Sequence, residues 1–236
     1  MEMTTDPTES NIGAVRVVIV AAGRSSRMIN NDKILADLNG LPLIVHSVDV
    51  FEKCELVDSI LIVASDLNIT EINEIALQMK WNKVTQIIPG GQRRQDSVLN
   101  GLEVLEECDW VIVHDGARPF VTIDMIKRGI TLAQSEGSAV AAFPAVDTTK
   151  IIDGNGFVLS TLQRENLYHT QTPQIFKQNL LLNAHYQIAD DVTDDASMVE
   201  RLGLRVRIFE GSRWNFKITS DDDLVAANAI AKGKYL

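Results

Sequence analysis

The sequence predicts a doubly wound α/β fold with a protruding β-arm. Short β-prone apolar runs alternate with stretches of helical apolar spacing through the first half of the chain. After Pro144 that alternation gives way to two β-prone runs flanking Asp153-Gly-Asn-Gly156, a hairpin signal. Nothing in the 236 residues resembles a linker or a repeat of fixed period, so residues 15–236 read as one domain with an arm at about 145–172.

The elements follow in order. Val15–Val20 is β-branched and almost wholly apolar, as in a strand covered on both faces. Pro42–Phe51 places Ile44, Val48 and Phe51 on one helical side, with Pro42 suited to the first turn. Ile60–Ala64 is a strand, and Glu71–Lys80 a helix with a stripe of Ile72, Ile75, Ala76 and Met79. Val84–Ile88 is a strand, Gln95–Glu107 a helix and Trp110–His114 a strand. Thr149–Ile152 and Phe157–Ser160 form the arm hairpin. Helices are expected at Asn179–Ile188, from Asp194 onward and at Asp221–Ala231, with a strand at Arg205–Phe209. Asp221, Asp222 and Asp223 suit the positive end of a helix dipole. Asp190, Asp191, Asp194 and Asp195 read as a capping and solvent-facing cluster, and Trp81, Trp110 and Trp214 as packing residues.

Composition narrows the function classes. Hydrophobic residues make up 45% and charged residues 23%, which excludes a collagen-like chain and wholesale disorder. Cys54 and Cys108 are too few and too far apart for a disulfide framework or a cysteine zinc site. A net charge of −10, with no aromatic–basic motif, disfavours nucleic acid and anionic membrane as partners. Met1–Ala14 is polar and acidic, unlike a signal peptide, and reads as a disordered tail. The longest strongly apolar run is too short to cross a bilayer, which makes the cytoplasm the expected location.

Three loops at strand carboxyl ends could carry chemistry. Ala21-Ala-Gly-Arg-Ser-Ser-Arg-Met28 offers small residues and backbone N–H groups to a phosphate, with Arg24 and Arg27 adding charge. Neither a P-loop nor a G-x-G-x-x-G fingerprint is present, which excludes two common nucleotide sites. Pro89–Ser97 is the second loop; Ser97 falls in the first turn of a helix, as a ligand or as a cap. Val113–Phe120 is the third. Asp115 lies just past a strand, where a carboxylate can hold a hard divalent cation or pair with Arg118. His114 reads as a packing or hydrogen-bonding residue. The loops gather Arg24, Arg27, Lys33, Arg93, Arg94 and Arg118 on one side of an acidic protein, which favours a polyphosphate ligand.

These residues resemble a known family. Ala21-Ala-Gly23, Arg27-Met28, Lys33, Gly90-Gly91, Arg94, Asp96-Ser-Val98, Asn100-Gly101 and His114-Asp-Gly-Ala-Arg-Pro-Phe120 are similar to the sugar-alcohol-phosphate cytidylyltransferases. Asp147–Lys150, Gln171–Phe176, Thr193–Ser197 and Asn215–Thr219 follow in family order, so the resemblance covers nearly the whole chain after the tail. Ala117-Arg118-Pro119 is closer to the 2-C-methyl-D-erythritol 4-phosphate branch than to its ribitol 5-phosphate relatives, which stay as an alternative.

The resemblance implies a Rossmann-like nucleotidyltransferase with a mainly parallel twisted sheet. It implies CTP and a sugar-alcohol phosphate as substrates, Mg²⁺ or another divalent cation as cofactor, and a homodimer built through the arm. Arg27, Lys33, Arg164 and Lys217 would be catalytic. Ala21, Ala22, Gly23, Arg24, Gly90, Arg94, Ser97, Asp115 and Ala117 would hold the nucleotide, with Asp115 also at the metal. Arg118, Thr148, Arg164, Thr172, Thr193 and Lys217 would hold the acceptor, Thr148 and Arg164 across the dimer. Two positions depart from the pattern. Ser25 replaces a glycine, and Asp32-Lys33-Ile34 replaces Pro-Lys-Gln, placing an acid that would lower the potential beside Lys33. They support the other alternative, a nucleotide-binding module without catalysis.

Overall fold

The computed structural model of the chain describes residues 12–23 and 32–233. In chain order the elements are β1 (Val15–Ala21), β2 (Asp37–Leu38), β3 (Leu41–Pro42), α1 (Leu43–Lys53), β4 (Ser59–Ala64), α2 (Ile69–Met79) and β5 (Val84–Pro89). Then come α3 (Arg94–Val104), β6 (Trp110–Asp115), α4 (Ile123–Glu136), β7 (Ser138–Pro144), β8 (Lys150–Ile152) and β9 (Val158–Thr161). A short 3-10 turn at Arg164–Asn166 leads to β10 (Tyr168–Lys177), α5 (Gln178–Gln187), α6 (Asp195–Arg201), β11 (Arg207–Glu210) and α7 (Asp221–Ala231).

Seven strands form one sheet in the order β11-β7-β10-β6-β1-β4-β5. β5, β4, β1 and β6 run parallel, and β11 runs parallel to β7. β10 is antiparallel to both of its neighbours, β6 and β7. Successive strand side chains point to opposite faces, which sorts the core into two layers. Val17, Ile19, Ile60, Ile62 and Ile112 meet the apolar sides of α1, α2, α4 and α7, including Ile44, Phe51, Ile72, Ile130 and Ala227. Val18, Leu61, Val63, Val111 and Val113 meet Val98, Leu102, Leu181 and Val199 from α3, α5 and α6. Each such buried aliphatic side chain contributes about 1.5–3 kcal/mol. β1 lies between β4 and β6, where strand order reverses, so the carboxyl ends of these strands open onto a crevice.

The expected alternation and the arm are present, with shifts at the ends. The helix expected at Gln95–Glu107 spans Arg94–Val104, because Leu105 turns to extended backbone. Pro42 precedes α1 rather than joining its first turn, and the strand expected from Arg205 starts at Arg207. α4, β7 and β10 add to the expected elements. β10 begins at Tyr168, so the last part of the segment expected as arm already belongs to the main sheet. Of the expected tail, residues 1–11 lie outside the described residues. Ile12 and Ala14 are anchored instead: Trp110 Nε1 donates to the Ile12 carbonyl at 3.0 Å, and Ala14 N–H donates to Asp109 at 2.8 Å.

Trp81 and Trp110 are buried as expected, whereas Trp214 is 44% exposed because it sits on a surface loop after β11. Asp223 caps α7 together with Ser220: Ser220 accepts from Asp223 N–H, and Asp223 accepts from Ser220 N–H at 3.0 Å. Asp194 caps α6 through Ser197 N–H. Asp195 corrects the solvent-facing reading, since it is 1% exposed and its charge is met by Arg94.

Candidate active site

The first wall of the site is backbone. β1 ends at Ala21 and runs into Ala22 and Gly23, while β5 ends at Pro89 and runs into Gly90 and Gly91. The two loops approach so closely that a Cβ on Gly90 would fall 2.3 Å from Ala22 Cβ and 2.8 Å from Ser97 Oγ. Only glycine fits there. Ser97 braces the turn, its hydroxyl accepting from Gly91 N–H and donating to the Arg93 carbonyl, both at 3.1 Å. These loops, with Lys33, Arg93, Arg94, Asp115, Ala117 and Lys217, enclose a cavity of about 680 Å³. That volume suits a nucleotide-sized ligand.

Asp115 is the electrostatic centre. It ends β6 and is 5% exposed. Its Oδ1 accepts from Arg94 Nε at 3.2 Å, and its Oδ2 lies 3.2 Å from Arg118 Nε and 3.1 Å from Lys217 Nζ. Burial opposes the charge, but Arg94, Lys217 and Arg118 outweigh it and hold the carboxyl well below the usual carboxylate range. Arg94 bridges two acids, its Nη1 reaching Asp195 at 2.8 Å. Burial disfavours the guanidinium charge, while Asp195 and Asp115 together raise its pKa further. His185 Nε2 lies 3.4 Å from the other Asp195 oxygen. Arg93 is occupied by Asp96 and Asp191 at 2.6 and 2.7 Å.

A buried relay fixes the backbone of Asp115. Asp115 N–H donates to Thr172 Oγ1 at 3.0 Å, and that hydroxyl lies 3.0 Å from His114 Nδ1. His114 Nε2 lies 3.2 Å from the Arg118 carbonyl, which can only accept. The imidazole is therefore the Nε2–H tautomer, and Nδ1 accepts from Thr172. Burial pushes its pKa down to about 3, in keeping with a neutral ring. Asn215 ties the Lys217 loop to β10. It is fully buried, its Nδ2 donates to the Thr172 carbonyl at 2.8 Å, and its own carbonyl accepts from Arg118 Nη1 at 2.8 Å.

A second cavity of about 380 Å³ lies beside the first and takes in Arg118, Thr172, Thr193 and Ser197. Arg94, Asp115 and Lys217 line both cavities and form the partition between them. Two ligands would thus meet at a carboxylate and two cations.

Over residues 15–233 the chain matches the family described as 2-C-methyl-D-erythritol 4-phosphate cytidylyltransferase. The chain belongs to this family. A protein of that name from Dehalococcoides mccartyi is 44% identical over 218 residues, 92% of this chain and 96% of its own. One from Clostridium acetobutylicum is 40% identical over 223 residues, 91% of this chain and 96% of its own. The crystal structure of 4-diphosphocytidyl-2C-methyl-D-erythritol synthase from Anaerococcus prevotii superposes with a TM-score of 0.84 at 25% identity, covering 94% of this chain and 100% of that one. A Thermus thermophilus cytidylyltransferase gives 0.73 at 29%, covering 91% and 98%.

Within this cytidylyltransferase, the sequence-predicted residues divide into four groups. Ala21, Ala22, Gly23, Lys33, Gly90, Arg94, Ser97, Asp115, Ala117 and Lys217 meet in the first cavity; Arg118, Thr172 and Thr193 meet in the second. Arg164 and Thr148 border neither. Arg164 Nη1 donates to the Val146 carbonyl at 2.9 Å at the root of the arm, and Thr148 is exposed beside it. Arg24 and Arg27, with Ser25, lie outside the described residues.

Sequence reasoning assigned no role to Gln171 or Asn215 and took Asp195 for a surface acid. Gln171 is buried and donates to the Ser212 and Asn215 carbonyls at 2.8 and 3.1 Å, holding the Lys217 loop from below. The available signal was chemical. Asn215 lies between Trp214 and Phe216, and an amide in such apolar surroundings calls for buried partners.

Proposed function

We propose that this chain transfers the cytidylyl group of CTP to 2-C-methyl-D-erythritol 4-phosphate. The products are pyrophosphate and 4-diphosphocytidyl-2-C-methyl-D-erythritol. The observation that carries the reading is the shared partition of Arg94, Asp115 and Lys217 between a nucleotide-sized cavity and a smaller one. An acceptor phosphate oxygen attacks the α-phosphorus of CTP in line. The new P–O bond forms as the bond to pyrophosphate breaks, and the electron pair leaves with pyrophosphate. No covalent intermediate with the protein is required; the protein positions the two substrates and neutralises charge.

The Ala21–Gly23 and Gly90 backbones and Ser97 bind the cytidine part. Arg27 and Lys33 act on the triphosphate charge, and Lys217 and Arg118 orient the acceptor phosphate. Asp115 keeps Lys217 and Arg118 aimed at the partition, 3.1 and 3.2 Å away. Magnesium takes one or two carboxylates plus substrate phosphates. Asp115, an ionised carboxylate on the partition, would offer such a cation its Oδ1, which among the described residues faces Arg94 alone, while Oδ2 keeps Arg118 and Lys217. A cation held there would neutralise phosphate charge.

The active unit is proposed to be a homodimer. Phe157, Val158 and Leu159 of the arm are 71, 58 and 65% exposed, an apolar surface suited to a second copy. Such a dimer gives Arg164 and Thr148 an acceptor site to complete in the partner. A cytoplasmic location suits the two free cysteines, and no described helix is long and apolar enough to cross a membrane.

The test is pyrophosphate release from CTP and Mg²⁺ with methylerythritol phosphate and ribitol 5-phosphate in parallel. Turnover with methylerythritol phosphate alone is expected. Turnover with ribitol phosphate alone would overturn the acceptor assignment, and CTP binding without either turnover would favour the non-catalytic module.

A further inference from the structure

Asn68 occupies the N-cap of α2, where its residue type ordinarily accepts a hydrogen bond from the first turn. Its side chain makes no such bond. It turns inward, fully buried, and serves three other segments. Its Oδ1 accepts from Ser65 N–H at 2.8 Å, and its Nδ2 donates to the Ala21 carbonyl at 3.3 Å and to Asp32 Oδ2. The other Asp32 oxygen accepts from Ile34 N–H at 3.1 Å, and the Asp32 carbonyl from Leu35 N–H at 2.9 Å. Lys33, between these contacts, lines the first cavity, its Nζ 3.9 Å from where a Cβ on Gly23 would stand.

We infer that Asn68 and Asp32 form a strut that positions Lys33. The Asn68 amide ties the turn carrying Lys33 to the carboxyl end of β1, whose next residues, Ala22 and Gly23, line the same cavity. The strut forgoes a helix cap and commits a buried amide to the tie. Asp32 therefore supports Lys33 through geometry, against the loss of positive potential that an adjacent acid would bring. The two effects predict opposite signs when the carboxylate is removed. This inference rests on the nucleotide-transfer reading of the cavity.

Asp32, which is only partly buried, carries the test better than the fully buried Asn68. Asp32→Ala, Asp32→Asn, Lys33→Ala and Asp32→Ala/Lys33→Ala are compared with the unaltered protein by amide hydrogen exchange over residues 33–36 and by single-turnover cytidylyl transfer at saturating CTP. Asp32→Ala should speed exchange at Ile34 and Leu35 and slow transfer by roughly tenfold, with the KM for CTP changed by less than about threefold, because misplacing a group that acts on transition-state charge lowers kcat. Asp32→Asn keeps an oxygen facing Asn68 and should recover part of both. The double variant should be no slower than Lys33→Ala alone, since one effect runs through the other. Unchanged exchange and rate in Asp32→Ala would overturn the strut. So would faster transfer in both Asp32 variants, or losses that multiply in the double variant. Absence of transfer by the unaltered protein would overturn the proposed function instead, and exchange alone would then decide the strut.

Discussion

At the carboxyl end of β6 and the start of α6, charged side chains are buried: Asp115 is 5% exposed and Asp195 1%. In the arm, about forty residues further on, the exposure is reversed, with Phe157 71% and Leu159 65% exposed. A buried acid and an exposed phenylalanine both depart from the ordinary partition of residues, and each departure is informative. The first is supported inside the chain. Asp115 has three cations within 3.2 Å, and Asp195 has Arg94 at 2.8 Å. The second has no such support among the described residues: there β8 and β9 pair only with each other, and their residues are exposed throughout. The first region is braced by cations of its own chain. The other, in the proposed homodimer, is complete only against a second copy.

Removing the centre of the first region should have the largest effect. Asp115→Ala leaves Arg94, Arg118 and Lys217 without their shared counter-charge, and breaking a buried pair costs about 3 kcal/mol or more. Urea denaturation should show a loss of that size, and transfer should fall below detection. A stability within about 0.5 kcal/mol of the unaltered protein, the range of an ordinary surface substitution, would show that solvent already screens the cluster.

The arm should respond differently. Phe157→Asp combined with Leu159→Asp should leave the denaturation midpoint within a few degrees, because neither side chain is packed in the chain's own core. Light scattering should report monomers, and transfer should fall with the dimer while CTP binding by calorimetry persists. A monomeric variant with full transfer would break the link between the arm and the acceptor site.

The smallest expected effect concerns His114. Its folded pKa of about 3 lies below the ordinary value near 6.5, so the unfolded chain takes up a proton that the folded chain refuses. The stability this contributes is complete above about pH 6.5 and declines as pH falls toward about 3. Between about pH 7 and 5.5 the loss should be about 1 kcal/mol, and it should be absent in His114→Gln, as measured by denaturation at each pH. An equal slope in both proteins would assign the titration to other groups.

Much of the first region was legible in the sequence. Parallel-sheet strands are continuous apolar runs, and the loops after β1, β5 and β6 carry small and basic residues, the combination that lets backbone and charge approach a phosphate together. β10 was not legible. Tyr168–Lys177 contains Pro173 and the polar Gln171, Thr172 and Gln174, a composition that reads as a loop. In the fold those polar side chains are buried and bonded to partners far along the chain, among them Asn215 and Asp194. Single-residue propensities carry no record of such partners. α4 was legible in principle, with Thr122 as its cap, Gly137 as its stop and Ile126, Ile130 and Ala133 along its inner side. Asp195 was misjudged because a run of aspartates near a helix start is usually solvated, and Arg94 lies about a hundred residues away.

The antiparallel course of β10 bears on how the chain is made. β6 and β7 follow one another in sequence with only α4 between them, yet they are not paired; β10 sits between them. A nascent chain on the ribosome has therefore completed both before the strand that joins them has been synthesised. Until Lys177 has emerged, the edge of β6 and that of β7 both present unpaired backbone, in an otherwise strongly apolar sheet. Synthesis of the arm thus prolongs the interval in which the growing sheet can pair with a neighbouring chain, and a chain ending between β7 and β10 is expected to self-associate.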